Sequence, residues 1–319
     1  MPHRCAILDD YQNVALKLAD WGQLKGEVDV RVYNDSLGDQ ANVIRTLKDC
    51  SIVCLMRERT LFPRAVFEGL PELKLVVTSG ARNAAIDLAA AEERKVVVCG
   101  TAAPGEPTAE LAVGLMLELA RKIGHENQQL KAGARWQTTL GIELGGKTLG
   151  CVGLGKLGSK VAQIGRAIGM DVIAWSQNLT AERCREVGAT LVSKEELFRR
   201  ADFITVHLQL SPRTRGLVGA ADLALMKPTA YFINTSRGPI VTEAALVDVL
   251  RNRRIAGAGL DVYDVEPLPL DHPYRKLDNV VLTPHLGYVS QQNYKKYFPD
   301  IVEDIRAWLD GKPVRVITP

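Results

Sequence analysis

No stretch of this chain strings together the roughly eighteen apolar residues that a bilayer-crossing helix requires, which excludes a helical membrane protein. The opening, Met1-Pro2-His3-Arg4-Cys5-Ala6-Ile7-Leu8-Asp9-Asp10, lacks the long apolar core of a secretory signal, so a cytoplasmic location is expected. Charge of one sign is also scarce. Forty basic residues against 37 acidic ones leave a formal net charge of +3, too small to argue for a nucleic-acid partner. The cluster Arg251-Asn252-Arg253-Arg254 reads as a solvated helix end. Of six cysteines none forms a CxxC pair, and no Cys/His cluster offers a metal site. Cys5, Cys54, Cys99 and Cys151 lie in apolar runs and read as buried free thiols suited to a reducing cytosol. Repeats and low-complexity tracts are missing as well. What remains is ordinary globular composition, 46% hydrophobic and 24% charged, in a length of 319 residues that suggests two domains.

Short apolar runs alternate with segments of helical period. Residues 4–8, 28–32, 51–56, 73–79 and 96–99 read as strands, with helices predicted near 13–20, 40–48, 63–69 and 86–93. A second series has strands near 148–153, 171–175, 202–206, 229–234, 255–260 and 280–283. Such alternation implies parallel sheets covered by helices on both faces. The chain is therefore α/β, with two doubly wound parallel-sheet domains of Rossmann or flavodoxin-like kind and an active-site cleft expected between them. The join falls near Thr101-Ala102-Ala103-Pro104-Gly105-Glu106-Pro107, where two prolines and a glycine break regular structure. The segment from Thr108 to about Lys131 places Leu111, Leu115, Leu119 and Ile123 on one helical face, flanked by Ala112, Met116 and Ala120. That face meets either another subunit or a neighbouring domain, and a homodimer is expected. A last helical segment, about 290–310, is expected to return to the first domain. The resulting domains are 1–101 plus 289–319 for substrate and 102–288 for a dinucleotide.

The dinucleotide enters through Gly153-Leu154-Gly155-Lys156-Leu157-Gly158, which follows Thr148-Leu149-Gly150-Cys151-Val152 and precedes Ser159-Lys160-Val161-Ala162-Gln163-Ile164. Strand, glycine turn and helix stand in the order such a unit needs. Gly153 permits the tight turn, Gly155 lets backbone approach a pyrophosphate, and Gly158 lets the helix pack closely on the strand. The helix N-terminus presents N–H groups and a positive dipole end to the phosphates. At the end of the next strand, Asp171–Trp175, an acidic residue would accept the ribose hydroxyls of NAD. Ser176 stands there instead, followed by Gln177 and Asn178. No carboxylate repels a 2′-phosphate and no arginine immediately follows to attract one. NAD is the first expectation and NADP the second, with Arg183 able to alter the choice by folding over the site.

Three later strand ends gather polar residues: Asn234-Thr235-Ser236-Arg237-Gly238-Pro239, then Gly259-Leu260-Asp261-Val262-Tyr263-Asp264-Val265-Glu266-Pro267, then Leu282-Thr283-Pro284-His285-Leu286-Gly287. Ligands collect beyond the carboxyl ends of strands in open α/β sheets, so Arg237, Glu266 and His285 are expected in one cleft. With Gly133-Ala134-Arg135-Trp136, the lead-in Glu143–Gly150 and the glycine turn, these segments resemble the D-isomer-specific 2-hydroxyacid dehydrogenases over nearly the whole chain. The resemblance implies an NAD(P)-dependent oxidoreductase acting on a 2-keto or D-2-hydroxy acid.

Chemistry agrees with that assignment. The planar fork of Arg237 suits a carboxylate and an adjacent carbonyl. His285 serves as general acid in reduction and general base in oxidation. Glu266 accepts from its other ring nitrogen, fixing the tautomer and favouring the protonated ring. The rivals are plain ones: a surface ion-pair arginine, a loop acid before Pro267, and a packed histidine after Pro284. By resemblance Asp261 holds the nicotinamide carboxamide, Thr108 before Ala109-Glu110 touches the cofactor, and His207 is a loop residue near it rather than a second base. Thr214, Thr235, Ser236, His285 and Gly287 join the cofactor-side candidates. The family often carries proline where Gln209 stands. Gly80 and Ala81, after the strand Leu73–Thr78, match a loop that donates backbone N–H groups to the substrate carboxylate, and Arg82 adds a charged head. Arg57 and Arg59 either face solvent around Glu58 or point inward to a substrate with further negative charge.

Two other function classes share this architecture. A corepressor-like protein senses NADH and binds protein partners, and the three polar residues do not exclude it; no long disordered tail or peptide-docking extension supports it. A formate-type dehydrogenase needs no proton transfer, against which Glu266 and His285 argue as a proton-handling pair. Within the family, phosphoglycerate dehydrogenase is a candidate. The chain ends at Pro319, too soon after the closing helix for a separate regulatory domain, which leaves a short form open.

Overall fold

The computed structural model describes residues 1–319 and divides them into two compact units, Met1–Gly105 with Ser290–Pro319, and Glu106–Val289. The first unit holds strands β1 (His3–Ile7), β2 (Val28–Val32), β3 (Ile52–Leu55), β4 (Leu75–Thr78) and β5 (Val97–Gly100), with helices α1 (Gln40–Leu47), α2 (Arg64–Gly69) and α3 (Leu88–Glu93). Its sheet is parallel, in the order β2-β1-β3-β4-β5. Every residue of β3 and of β4 is buried, as expected of strands covered on both faces.

The predicted helix at 13–20 is absent; only a 3₁₀ turn forms, over Ala15–Lys17. Asp10 explains the loss. Its carboxylate accepts from the N–H groups of Val14 at 3.1 Å and Ala15 at 2.9 Å, a local alternative to helical bonding.

In the second unit come α4 (Pro107–Arg121), α5 (Ile123–Lys131), β6 (Thr148–Val152), α6 (Lys156–Ala167), β7 (Asp171–Trp175), α7 (Ala181–Glu186), β8 (Thr190–Leu191), α8 (Lys194–Arg200), β9 (Phe203–Val206), α9 (Ala220–Leu223), β10 (Tyr231–Asn234), α10 (Glu243–Arg251), β11 (Gly257–Leu260) and β12 (Val280–Leu282). A final helix, α11 (Gln291–Leu309), belongs to the first unit and buries Tyr297, Phe298, Ile301 and Ile305 there. The second sheet runs β12-β11-β10-β9-β6-β7-β8, all parallel. Its order reverses between β6 and β9, the switch point where a crevice opens beyond the strand ends. One apolar core lies on each face of this sheet, and the two residues of β8 escaped the sequence reading.

The segment 108–131 is two helices, not one. Lys122 adopts φ 55°, and the Glu118 carboxylate accepts Gly124 N–H at 2.9 Å to start α5. Ala112, Leu115, Met116, Leu119 and Ala120 are buried in the core of their own unit, whereas α5 buries none of its residues.

Candidate active site

Backbone sterics shape the glycine turn after β6. Gly153 has φ 98°, and a Cβ there would lie 2.5 Å from the His207 carbonyl oxygen. A Cβ on Gly158 would collide with the Gly153 carbonyl, so α6 can start where it does only with glycine at 158. Gly155 faces open space and precedes α6 without a side-chain cap, which leaves the first-turn N–H groups for an anion. Gly158→Ala is expected to destabilise the protein by about 1–3 kcal/mol and to displace the turn, since the collision is with backbone. Denaturant unfolding and NADH titration of the variant check both effects.

Beside the turn lies a cavity of about 400 Å³. Of the predicted cofactor residues, Gly153, Gly155, Ser176, Gln177, His207 and Thr214 line it; Lys156, Leu157 and Gly158 sit at the head of α6 outside its lining. His207 Nε2 meets Thr205 Oγ1 at 2.9 Å, while its Nδ1 is buried without a partner, as is Thr235 Oγ1 at the end of β10. Burial holds the His207 ring pKa down to about 4, so the ring is neutral at pH 7. An open glycine cradle and unpartnered polar atoms at the strand ends fit a dinucleotide. Other candidates are already engaged. Ser236 Oγ donates to Val206 O at 2.7 Å, Thr108 Oγ1 to Gly287 O at 2.7 Å, and Thr214 Oγ1 to Gln209 O at 2.6 Å. Arg183 does fold back, to Leu154 O at 3.3 Å and Ser159 Oγ at 2.7 Å, but it pairs with Glu186 at 2.6 Å and does not line the cavity. The cation that lines it is Arg213, which the sequence reading missed; the basic residue after Ser211-Pro212 was its only signal.

The second cluster forms at the ends of β10, β11 and β12, neighbours in the sheet. Asn234 shapes the first loop: its Oδ1 accepts Ser236 N–H and its Nδ2 donates to Arg237 O, both at 3.0 Å. Arg237 Nη1 donates to Ser236 O at 2.7 Å. A Cβ on Gly238 would collide with the Tyr263 backbone, so this loop presses directly on the next. There Glu266 is held from both sides, Oε1 accepting Tyr263 N–H at 2.9 Å and Oε2 lying 2.7 Å from His285 Nδ1. Tyr263 is a second residue the sequence reading missed. Its hydroxyl lies 3.0 Å from Leu260 O and 2.9 Å from Thr283 O, joining the ends of β11 and β12.

Asp261 lies at the end of β11, beneath the His285 loop. Its carboxylate is fully buried and accepts Thr283 Oγ1–H at 2.6 Å, Leu286 N–H at 2.7 Å and Gly287 N–H at 2.9 Å. Burial raises its pKa, against the pull of those donors. Its contacts are all with the loop that carries His285, whose backbone has φ 52°. Asp261 thus anchors the catalytic candidate's loop.

In the first unit, Arg57 (φ 51°) and Gly80 (φ 86°) form one structure at the ends of β3 and β4. Arg57 N–H donates to Ser79 Oγ at 2.9 Å and its Nη1 to Ser79 O at 3.2 Å; the guanidinium lies against Gly80, where a Cβ would strike it. Gly80 N–H donates to Thr101 Oγ1 at 2.7 Å. The residue also supplies room for the Arg57 guanidinium. Ala81 and Arg82 are exposed. No group of three or more His, Cys, Asp or Glu side chains is placed to hold a metal, and no helix is long and apolar enough to cross a membrane.

Comparison with known proteins adds independent findings. Residues 113–287 match the family model described as D-isomer specific 2-hydroxyacid dehydrogenase, NAD binding domain. The chain is 33% identical over 316 residues to a hydroxypyruvate reductase of Blautia hydrogenotrophica, covering 93% of this chain and 94% of that protein. It is 39% identical over 264 residues to a D-3-phosphoglycerate dehydrogenase of Synechocystis, covering 82% of this chain and 47% of that one. The chain spans about half the length of the curated phosphoglycerate dehydrogenases it matches. Among solved structures, a phosphoglycerate oxidoreductase from Vibrio cholerae superposes with a TM-score of 0.92 at 37% identity, over 97% of this chain and 99% of that one.

Proposed function

Because the chain belongs to the D-isomer-specific 2-hydroxyacid dehydrogenase family, we propose that it is an NAD(P)-dependent oxidoreductase interconverting a 2-keto acid and a D-2-hydroxy acid. The observation that carries this reading is the Glu266–His285 pair at 2.7 Å, backed by a loop that Gly238, next to Arg237, touches directly. Arg237 binds the substrate carboxylate and the carbonyl oxygen through its two-pronged face. Because His285 Nδ1 is committed to Glu266, the proton to be moved sits at Nε2. Nε2 delivers it to the carbonyl oxygen in reduction and removes it from the hydroxyl in oxidation. The nicotinamide, when bound, supplies hydride in one direction and accepts it in the other.

The unit Glu106–Val289 is assigned to the dinucleotide and the unit Met1–Gly105 with Ser290–Pro319 to the substrate. Gly153 to Gly158, Ser176, Gln177, His207 and Thr214 would hold the coenzyme around the cavity, and Thr235 would supply its unpartnered hydroxyl. Thr108, Ser236, Asp261 and Gly287 complete that set as supports. Arg57, Gly80, Ala81 and Arg82 are the substrate-side assignments, with Arg57 the cation among them whose position the backbone fixes. NAD(H) is the first coenzyme, and Ser176 leaves NADP(H) admissible. A homodimer is also proposed, supported by Trp136 at 70% and Leu140 at 98% exposure beside the bare helix α5. Sedimentation as a monomer would reject it.

The activity test is a panel of glyoxylate, hydroxypyruvate, pyruvate and phosphohydroxypyruvate, each with NADH and NADPH. Expected is coenzyme oxidation with at least one of them, and a D-configured product. Silence across the panel from folded, coenzyme-binding protein would overturn the reading.

A further inference from the structure

The cavity beside the glycine turn has an unusual charge balance. Its lining contains no carboxylate and one cation, Arg213. His207, the other titratable group there, is neutral at pH 7 because burial depresses its pKa to about 4. Three nearby cations are each paired with an acid: Lys156 with Glu106 at 3.1 Å, Arg183 with Glu186 at 2.6 Å, and Lys194, which lies over the Trp175 ring, with Asp222 at 2.8 Å. Arg213 differs. Its Nη2 donates at 2.9 Å to Gln177 Oε1, a neutral amide oxygen, so its charge is not cancelled by that partner. The bond also places the guanidinium. It spans from the loop after β9 to the loop after β7, where the residue following the strand, Ser176, is a short neutral side chain.

We propose that Arg213 receives the 2′-phosphate of NADP(H), so that this cavity accepts the phosphorylated coenzyme alongside NAD(H). The inference rests on the cavity's being the adenosine end of the coenzyme site. At that end the two coenzymes differ by a single phosphate, and recognition of it requires two conditions. The first is the absence of an acid that would repel the added charge, met by Ser176, Gln177 and Asn178. The second is a donor fork with uncancelled charge, met by Arg213, since a guanidinium presents several N–H groups to a phosphate and one bond to Gln177 uses only one of them. The exchange is favourable because a neutral amide acceptor gives way to a dianion. The alternative is that Arg213 merely ties two loops together, and it makes a different prediction, for a loop tie serves both coenzymes equally.

Equilibrium titration separates the two without using turnover. NADH, NADPH, 5′-ADP and 2′,5′-ADP are titrated into the wild-type protein and into Arg213→Gln, by calorimetry or coenzyme fluorescence. Arg213 is exposed, so the substitution leaves the core untouched. Expected for the wild type is a Kd for NADPH within about tenfold of that for NADH, and for the variant a rise in the NADPH-to-NADH Kd ratio of about tenfold or more. The 2′,5′-ADP to 5′-ADP ratio should move in parallel, and added salt should weaken NADPH more than NADH in the wild type only. A variant whose ratio is unchanged, or whose affinities for both coenzymes fall together, would overturn the role of Arg213 while leaving the coenzyme site standing. So would wild-type protein that binds NADH but discriminates against NADPH by more than that tenfold margin. Failure of the wild type to bind either coenzyme would instead reject the site itself, and the inference with it.

Discussion

Replacing His285 with alanine is expected to lower turnover of the keto-acid reaction by about 10²- to 10⁴-fold, the range for loss of a general acid–base group. The effect should fall on kcat and kcat/KM together, because the proton transfer is made in the transition state. The geometry makes this a sharp test. His285 is buried, its Nδ1 lies 2.7 Å from Glu266 Oε2, and its backbone sits at φ 52°, a conformation a non-glycine residue adopts at some cost. That conformation is held by Asp261, whose carboxylate takes up the N–H groups on the two residues that follow. A histidine there merely for packing would give a different result: alanine would reduce stability and leave kcat of the remaining folded protein near normal. Glu266→Gln sharpens the distinction. It retains an acceptor for Nδ1–H but removes the charge, so turnover should fall about tenfold, well short of the alanine loss. The readouts are steady-state kcat against KM for both variants, with thermal unfolding as the control. An alanine variant within threefold of wild-type kcat would remove His285 from the mechanism.

The α/β class was legible because parallel strands buried on both faces spell uninterrupted apolar runs. Ile52-Val53-Cys54-Leu55 is such a run, Phe203-Ile204-Thr205-Val206 is interrupted only by Thr205, and both are strands with every residue buried. Legibility failed where side chains compete with the backbone ladder. Asp10 takes the amides that a helix at 13–20 would have used, and Lys122 in the left-handed region divides what periodicity presents as one helix. Two-residue β8 is too short to carry a period. In the site, the pairing of Glu266 with His285 could be proposed from strand-end chemistry, since both follow strands of one sheet. Arg213 and Tyr263 could not. Each matters through a partner in a different loop, Gln177 for one and the Thr283 carbonyl for the other, and no periodic signal encodes such a meeting. Nor did the sequence carry the supporting bonds of Gly80 and Asp261, which run to Thr101 and to the His285 loop.

Arg237→Ala is expected to reduce kcat/KM by about 10²- to 10⁴-fold, with KM rising and kcat falling. Two charge-assisted hydrogen bonds are lost, each contributing about 1.5–3 kcal/mol, and each 1.4 kcal/mol is roughly tenfold. The ground-state contact is to the carboxylate and appears in KM; the contact to the carbonyl oxygen strengthens as charge develops there and appears in kcat. The surrounding backbone supports so large an effect. Asn234 Nδ2 holds Arg237 O at 3.0 Å, Arg237 Nη1 is tied to Ser236 O at 2.7 Å, and Gly238 is packed on the Tyr263 backbone. Little side-chain freedom remains to be lost on binding, so the interaction energy is realised with little loss to ordering. Arg237→Lys keeps the charge and loses the planar fork, and should recover no more than about tenfold of the alanine loss. Free guanidinium ion added to Arg237→Ala should restore part of kcat/KM in a saturable way, which a residue acting only as an exposed ion pair would not permit. Such a pair contributes about 1 kcal/mol or less to stability and nothing to turnover. An alanine variant with unchanged kcat and KM would therefore leave Glu266 and His285 with no cation to hold the substrate, and the mechanism would require another residue in that place.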